Sequence, residues 1–416
     1  MNTVFLILIL GAFTAAAAAE LAGGHGAMEG LSAAMIDAAA SAVPLALGLV
    51  GIMALFLGLM KVAEAGGLLE ATARVLEPLL GRLFPEIPAG HPAMGAMVMN
   101  VAANLLGLGN AATPFGIRAM EHLEHLNPIK GTATNAQVLF LAINTAGLTV
   151  LPTKVIALRA SLGSADPAAI IAPTLCATLV ATLVAVVGAR LLQRVWGDGG
   201  GDGIAPQTPG APHPHASSGS LWPAIWTLGG ILALIPLLLL WGRQAGPWIM
   251  PLLVAAMLLF GALRKVAIYE SFVEGAKEGF AVAVRIIPYL VAILVAIGMF
   301  RASGAMDMVI KPLGRLTEPL GLPAEALMMA VMRTLSGSGS YGLLAANLKD
   351  GAIGPDGYLG LLLSTIYGST ETTFYVLAVY FGAVQVKRIR HALAVGLLAD
   401  FAALLTAVAV CRAIAP

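Results

Sequence analysis

Residues 100–114 read NVAANLLGLGNAATP. They sit in the middle of an apolar window, 93–120, yet carry Asn100, Asn104 and Asn110, the glycines Gly107 and Gly109, and Thr113 just before Pro114. A lipid-facing helix cannot accept this composition, because amide groups left unpaired in hydrocarbon are costly. Glycine and proline also weaken the helical ladder itself. The stretch therefore predicts a hairpin that enters the membrane, turns near Gly107–Asn110 and returns. Its amides, carbonyls and helix ends would face a ligand rather than lipid.

The rest of the chain supplies the membrane setting. Of 416 residues, 59% are hydrophobic and 11% charged, with a mean hydropathy of +0.89. A soluble domain is about one-quarter charged, so most of this surface faces something other than water. Apolar spans read near 3–19, 43–60, 136–158, 168–192, 221–241, 247–263, 285–300, 358–382 and 388–410. Several approach the roughly 20 residues of one helical crossing. Residues 3–19 end in small residues as a signal peptide does but lack its charged start, so they read as a retained first helix.

Function classes fall away in turn. A net charge of +1 gives no electrostatic case for a nucleic-acid polymer. The two cysteines, Cys176 and Cys411, lie far apart in apolar segments and make neither a disulfide framework nor a metal set. No Walker loop, HExxH, paired CxxC or nucleophile elbow occurs in a credible context. The reading is a non-enzyme with no catalytic residue, metal or cofactor. Its expected partners are the lipid bilayer and an unidentified small solute, with homo-oligomerisation left open.

Three more polar breaks interrupt apolar segments. RTLSGSGS, 333–340, places Arg333, Ser336, Ser338 and Ser340 inside the window 324–348, as a second hairpin tip. Asn144, Thr145 and Thr149, followed by Pro152, Thr153 and Lys154, interrupt one span. Thr370, Glu371, Thr372 and Thr373 interrupt another. Glu371 stands out, since an ionisable side chain inside an apolar span is a functional hypothesis by default. It is expected to bind a cation, take part in proton coupling, or pair with Lys154 or Arg333. The bland reading is helix packing through small residues and Ser/Thr hydrogen bonds. Recurrence of the breaks at corresponding places favours a polar site over packing alone.

That recurrence is an internal repeat. VLEPLLGRL at 75–83 resembles VIKPLGRL at 309–316, and Gly147-Leu-Thr149 parallels Gly368-Ser-Thr370. The expected organisation is one unit over 1–195, a Gly/Pro/Ser-rich linker over 196–220, an extra crossing over 221–246 and a second unit over 247–416. Residues 20–42 carry Glu20, Glu29 and Asp37 but no Lys or Arg, which places them outside and 61–92 inside. The extra crossing then turns the second unit over, giving inverted repeats with re-entrant helical hairpins. Arg301, Lys311 and Arg315 would lie outside, against the charge rule.

Longer stretches carry a family resemblance. GLMKVAEAGGL at 58–68, LFPEIP at 83–88, HPAMG at 91–95 and GLGNAATP at 107–114 resemble spore maturation protein A. YESFVEGAKEG at 269–279, IPYLV at 287–291, RASGA at 301–305, TTFYVL at 372–377 and YFGAV at 380–384 resemble spore maturation protein B. The chain is thus similar to a fusion of the two, within the nucleoside-recognition or "gate" domains, whose relatives include parts of concentrative nucleoside and ferrous-iron transporters. The resemblance implies an all-α, multi-pass plasma membrane protein that moves or gates a small solute. A non-transporting scaffold for a cell-envelope or sporulation process is the rival reading. Ser336-Gly-Ser-Gly-Ser340 stands where a Ser-Gly-Pro-type turn is expected, and nothing in the sequence reads a base or a ribose.

Inversion has a direct test. Single cysteines placed in 61–84 and in 303–320, with Cys176 and Cys411 replaced by alanine, should react with an impermeant thiol reagent from opposite sides of the membrane. Labelling from one side overturns it.

Overall fold

The computed structural model describes residues 2–23, 25–88, 90–107, 109–196, 229–230, 248, 251–305, 308, 312, 314 and 317–414. The linker at 196–220 and the extra crossing at 221–246 thus fall, apart from single positions, outside the described residues. Among the described residues the architecture is all-α, with backbone bridging limited to one isolated pair, Thr132 and Arg388.

The first half comprises α1 (Asn2–Leu21), α2 (Ala27–Ala65), α3 (Leu68–Leu83), α4 (Pro92–Leu105), α5 (Gly109–His125), α6 (Asn135–Ala146), α7 (Thr153–Ser161) and α8 (Ile171–Val195). After α9 (Pro251–Leu263) the second half follows the same order. It comprises α10 (Ile268–Ala302), α11 (Ala324–Leu335), α12 (Gly337–Lys349), α13 (Tyr358–Ser369), α14 (Thr373–Ala383) and α15 (Ala392–Ile414). Long α2 corresponds to α10, hairpin α4–α5 to α11–α12, interrupted helix α6–α7 to α13–α14, and closing helix α8 to α15.

Length explains the roles. At 1.5 Å per residue, α4 and α11, of 14 and 12 residues, reach about 21 and 18 Å, short of a hydrocarbon core of about 30 Å. Each hairpin arm can enter the bilayer but cannot cross it alone. By contrast, α8 with its leading turn (29 residues) and α15 (23 residues) are long and apolar enough to cross by length and composition.

One expectation is corrected here. The apolar windows begin the second span near 43, but the turn is confined to the few residues before Ala27, and α2 runs unbroken for 39 residues. Glu29, Asp37 and many alanines lower the hydropathy of this stretch while favouring helix. Hydropathy therefore marked where α2 is most apolar, not where it begins. The same holds for α10, which starts well before the apolar window at 285–300.

Corresponding helices pack antiparallel. A Cβ on Gly275 of α10 would run into the Leu57 carbonyl oxygen and lie 2.9 Å from Gly58 Cα, and one on Gly279 would lie 2.7 Å from Ala54 Cα. Further along α10, Gly298 faces Ala38 and Ala34. Rising positions on α10 thus meet falling positions on α2, with backbones in near contact through small residues. Likewise, Ala177, Ala181, Ala185 and Ala189 of α8 are buried, as are Ala399, Ala403 and Ala407 of α15, and the two helices pack together. Trp196, just past the end of α8, lies 6.4 Å from His391 before the start of α15, between ring centroids.

The ends of the halves are tied together. Gly131 O accepts from the amides of Lys387 (2.9 Å) and Arg388 (3.0 Å), while Ala133 N donates to Arg388 O (2.9 Å). At the opposite end Arg159, 1% exposed, donates to the Pro355 carbonyl, to Ser164 Oγ and to Asp356 Oδ1. Thus α6–α7 runs from the first end to the second and α13–α14 runs back.

The outside is apolar. Leu183, Val187 and Leu191 of α8, and Leu397, Leu398, Phe401 and Leu405 of α15, are exposed. Polar residues such as Asn100, Asn144, Thr145, Arg333 and Thr373 are buried. That is the reverse of a soluble domain and fits a protein whose solvent is lipid.

Gly275→Leu should force α2 and α10 apart and cost about 1–3 kcal/mol, read as a lower Tm of the purified protein. Gly30→Ala, where a Cβ meets nothing within 4 Å, should leave Tm unchanged.

Candidate functional site

Each half builds its share from a hairpin tip and a broken helix. Pro92 opens α4 behind His91, whose Nδ1 accepts from the Ala93 amide at 3.2 Å. The helix ends at Leu105, and Gly107 turns the chain at φ +76°. A Cβ there would lie 2.5 Å from the Leu151 carbonyl oxygen, so glycine is required both for the turn and for the close approach. Helix α6 starts with a capping box between Thr134 and Gln137 and stops at Gly147, a left-handed cap at φ +57°. In the second half Ser336 caps α12 by accepting from Gly339 N at 3.0 Å.

Tip and break meet within each half. Val150 N donates to Leu105 O (3.0 Å), and Asn104 Nδ2 donates to Asn144 Oδ1 (3.0 Å). Thr149 Oγ1 donates to Gly147 O (2.8 Å). In the second half Arg333, at the end of α11, donates to the Thr370 carbonyl, to Thr372 Oγ1 at 3.2 Å and to Glu371 Oε2 at 3.5 Å. Its guanidinium carbon lies 4.6 Å from the Tyr367 ring centroid, a cation–π contact.

The halves then meet at the breaks. Glu371 N donates to Thr145 O at 2.9 Å, so the amide freed by one break satisfies the carbonyl freed by the other. All four polar breaks thereby form one chain of contacts: tip, break, break, tip. Arg333 is 8% exposed and Glu371 45% exposed. The pair therefore has a buried cationic end and a carboxylate end that remains open.

Most of the expected residues assemble here. Asn104, Gly107, Asn144, Thr145, Thr149, Arg333, Thr370, Glu371 and Thr372 share these contacts. Of the two partners expected for Glu371, Arg333 is the one that pairs with it, and Lys154 is exposed. Asn100 is one step removed, donating to Ala112 O (2.7 Å) and Tyr380 Oη (3.1 Å). Ser336 caps a helix and Ser340 Oγ donates to Ser336 O (2.7 Å), which is local structural work. Ser338 and Thr113 are half-buried, and Gly109 and Asn110 form the first turn of α5.

Two residues join that the sequence reading passed over. Tyr380 Oη donates to Asn144 Oδ1 at 3.2 Å and accepts from Asn100, linking α14 of the second half to α4 and α6 of the first. Its ring stacks on Phe140, centroids 6.1 Å apart. Asp400 of α15 accepts from Thr373 Oγ1 at 2.5 Å. The signal for Asp400 was available, since it is an ionisable residue within an apolar span. Tyr380→Phe should leave Asn100 and Asn144 short of a buried partner and lower stability by about 1–3 kcal/mol, measured by thermal unfolding. An unchanged Tm would contradict the network.

The chain matches the gate family, described as nucleoside recognition, over residues 46–162 and 283–387. These two stretches hold the hairpins and interrupted helices of both halves. It is 42% identical over 153 residues to spore maturation protein A of Bacillus subtilis (strain 168), covering 37% of this chain and 78% of that protein. It is 49% identical over 150 residues to spore maturation protein B of the same organism, covering 36% of this chain and 83% of that protein. No solved structure matches. With a repeated hairpin and broken helix in each half, and about a third of its length similar to each of these two proteins, the chain belongs to the gate family as an all-α membrane protein related to spore maturation proteins A and B.

Proposed function

We propose that the chain is a multi-pass protein of the bacterial plasma membrane that moves or gates a small polar solute where its four breaks meet. Its units are those expected from the sequence, 1–195 and 247–416, inserted in opposite orientations and joined through the crossing at 221–246. The observation that carries this reading is the Arg333–Glu371 pair, half open and set at the junction of two interrupted helices. Broken helices at membrane depth are tolerated where they are buried in protein or line a water-filled cavity. A carboxylate with nearly half its surface open favours the cavity.

The antiparallel packing of corresponding helices supports a gate of two pseudo-equivalent parts. Each hairpin tip rests on the broken helix of its own half, so each can lift while the crossing at Thr145 and Glu371 stays closed. Alternate lifting would admit a solute from one side and then the other. The relatives are named for spore maturation, and neither name describes an enzyme.

The test is a thermal-shift screen of nucleosides, divalent metal salts and dipicolinate on the purified protein. A stabilising compound should lose its effect in Glu371→Gln and Asn104→Ala, and proteoliposomes carrying either variant should fail to take it up at unchanged protein abundance. If none of these compounds shifts the protein and both variants retain cellular function, a membrane scaffold replaces the transport reading.

A further inference from the structure

Asp400 reaches the site only through Thr373, and none of the contacts between its tips and breaks involves it. It lies one turn after Gly396 in α15, a largely apolar helix whose other charged residue, Arg412, is in the last turn. Oδ2 accepts from Thr373 Oγ1 at 2.5 Å, whereas Oδ1 is buried with no partner among the described residues. Thr145, fully buried, is in the same position, because its Oγ1 has no partner either. Gly396 brings these groups together. A Cβ there would lie 2.8 Å from Thr373 Cγ2 and 3.4 Å from Thr145 Cγ2. Asp400 and Thr145 thus each carry a buried oxygen without a partner close to Thr373, which already binds Asp400.

The charge balance indicates what is missing. Of the helices packed against α15, α11 carries Glu325 in its first turn and Arg333 in its last, and Arg333 is engaged with the Thr370 carbonyl, Thr372 and Glu371. Helix α6 brings no charged residue, α13 and α14 add only the phenols of Tyr358, Tyr367, Tyr375 and Tyr380, and α8 carries Arg190 and Arg194 in its last two turns, Arg190 donating to the Leu83 carbonyl. With Arg333 and Glu371 cancelling, and Arg412, Arg190 and Arg194 held near helix ends, Asp400 leaves one uncompensated negative charge inside the span. One positive charge restores neutrality, and two would overshoot. The available donor atoms are hard oxygens, and no cluster of His, Cys, Asp and Glu suited to a metal ion occurs among the described residues.

We propose that Asp400, Thr373 and Thr145 form a site for one monovalent cation, sodium or a proton. The site touches both interrupted helices: Thr145 belongs to α6, and its carbonyl accepts the Glu371 amide, while Thr373 opens α14. Occupancy therefore stiffens the crossing between the halves. The site stands whether or not a solute is moved, and its test needs none.

The experiment measures Tm of the purified full-length protein in sodium chloride against choline chloride at equal ionic strength, over a range of pH. A sodium site gives a saturable rise in Tm with sodium. A proton site gives stability that is present at low pH and lost as pH rises, without dependence on sodium. Asp400→Asn should abolish whichever response the wild type shows, while Gly30→Ala, where an added Cβ meets nothing, should keep it. Thr145→Ala leaves the carboxylate in place, keeps the measurement possible if Asp400→Asn does not fold, and should weaken the response roughly tenfold, the equivalent of one lost ligand. A wild-type Tm indifferent to both ions overturns the proposal. So does a response that survives in Asp400→Asn, or one unchanged in Thr145→Ala.

Discussion

A backbone amide or carbonyl released where a helix breaks inside a bilayer finds no water there, and it must be paired by protein. The hydrogen bond from Glu371 N to Thr145 O meets that requirement between the two halves of this chain. The remaining breaks are answered in the same way: Leu105 O by Val150 N, and Thr370 O by the Arg333 side chain. Neither half can present its broken helix to lipid alone. Duplication here is therefore a condition of stability as well as a pattern in sequence.

The rest of the fold brings the breaks into register without help from the hydrophobic effect, which does little between helices already surrounded by lipid. Close packing takes its place. Glycines on α10 let its backbone touch α2, and alanine rows line the contact between α8 and α15. Polar closures at both ends then fix the register. One is the backbone pairing around Gly131 and Arg388, and the other is the buried Arg159 with Asp356. Large apolar side chains are turned outward, where a soluble protein would carry charge.

The sequence made the breaks legible because a few asparagines, serines or threonines contrast sharply with an apolar window. It also narrowed the partners of Glu371 to two, of which Arg333 is the one used. What it obscured were features that do not change local hydropathy. Asp400 sits among so many Ala and Leu residues that the span still reads as uninterrupted. Tyr380 looks like an ordinary apolar-span aromatic until α14 is placed against α4 and α6. The N-terminal stretch of α2 was hidden for the opposite reason, since alanine and scattered carboxylates look loop-like to a hydropathy window but form helix readily. Ser336 and Ser340, which promised ligand contacts, are engaged in holding the second hairpin's turn.

The central claim is that the two halves interlock at their breaks. Gly368, just before the second break, bears on this directly, because a Cβ there would lie 3.2 Å from Thr174 Oγ1 at the start of α8 and 3.5 Å from Pro152 Cβ in the first break. The decisive measurement uses Thr174→Cys with Gly368→Cys in a chain lacking Cys176 and Cys411, with a protease site inserted in the linker at 197–220. After mild oxidation in membranes and cleavage of the linker, the account expects the two halves to migrate as one band that reduction separates. Two bands without reduction would contradict it.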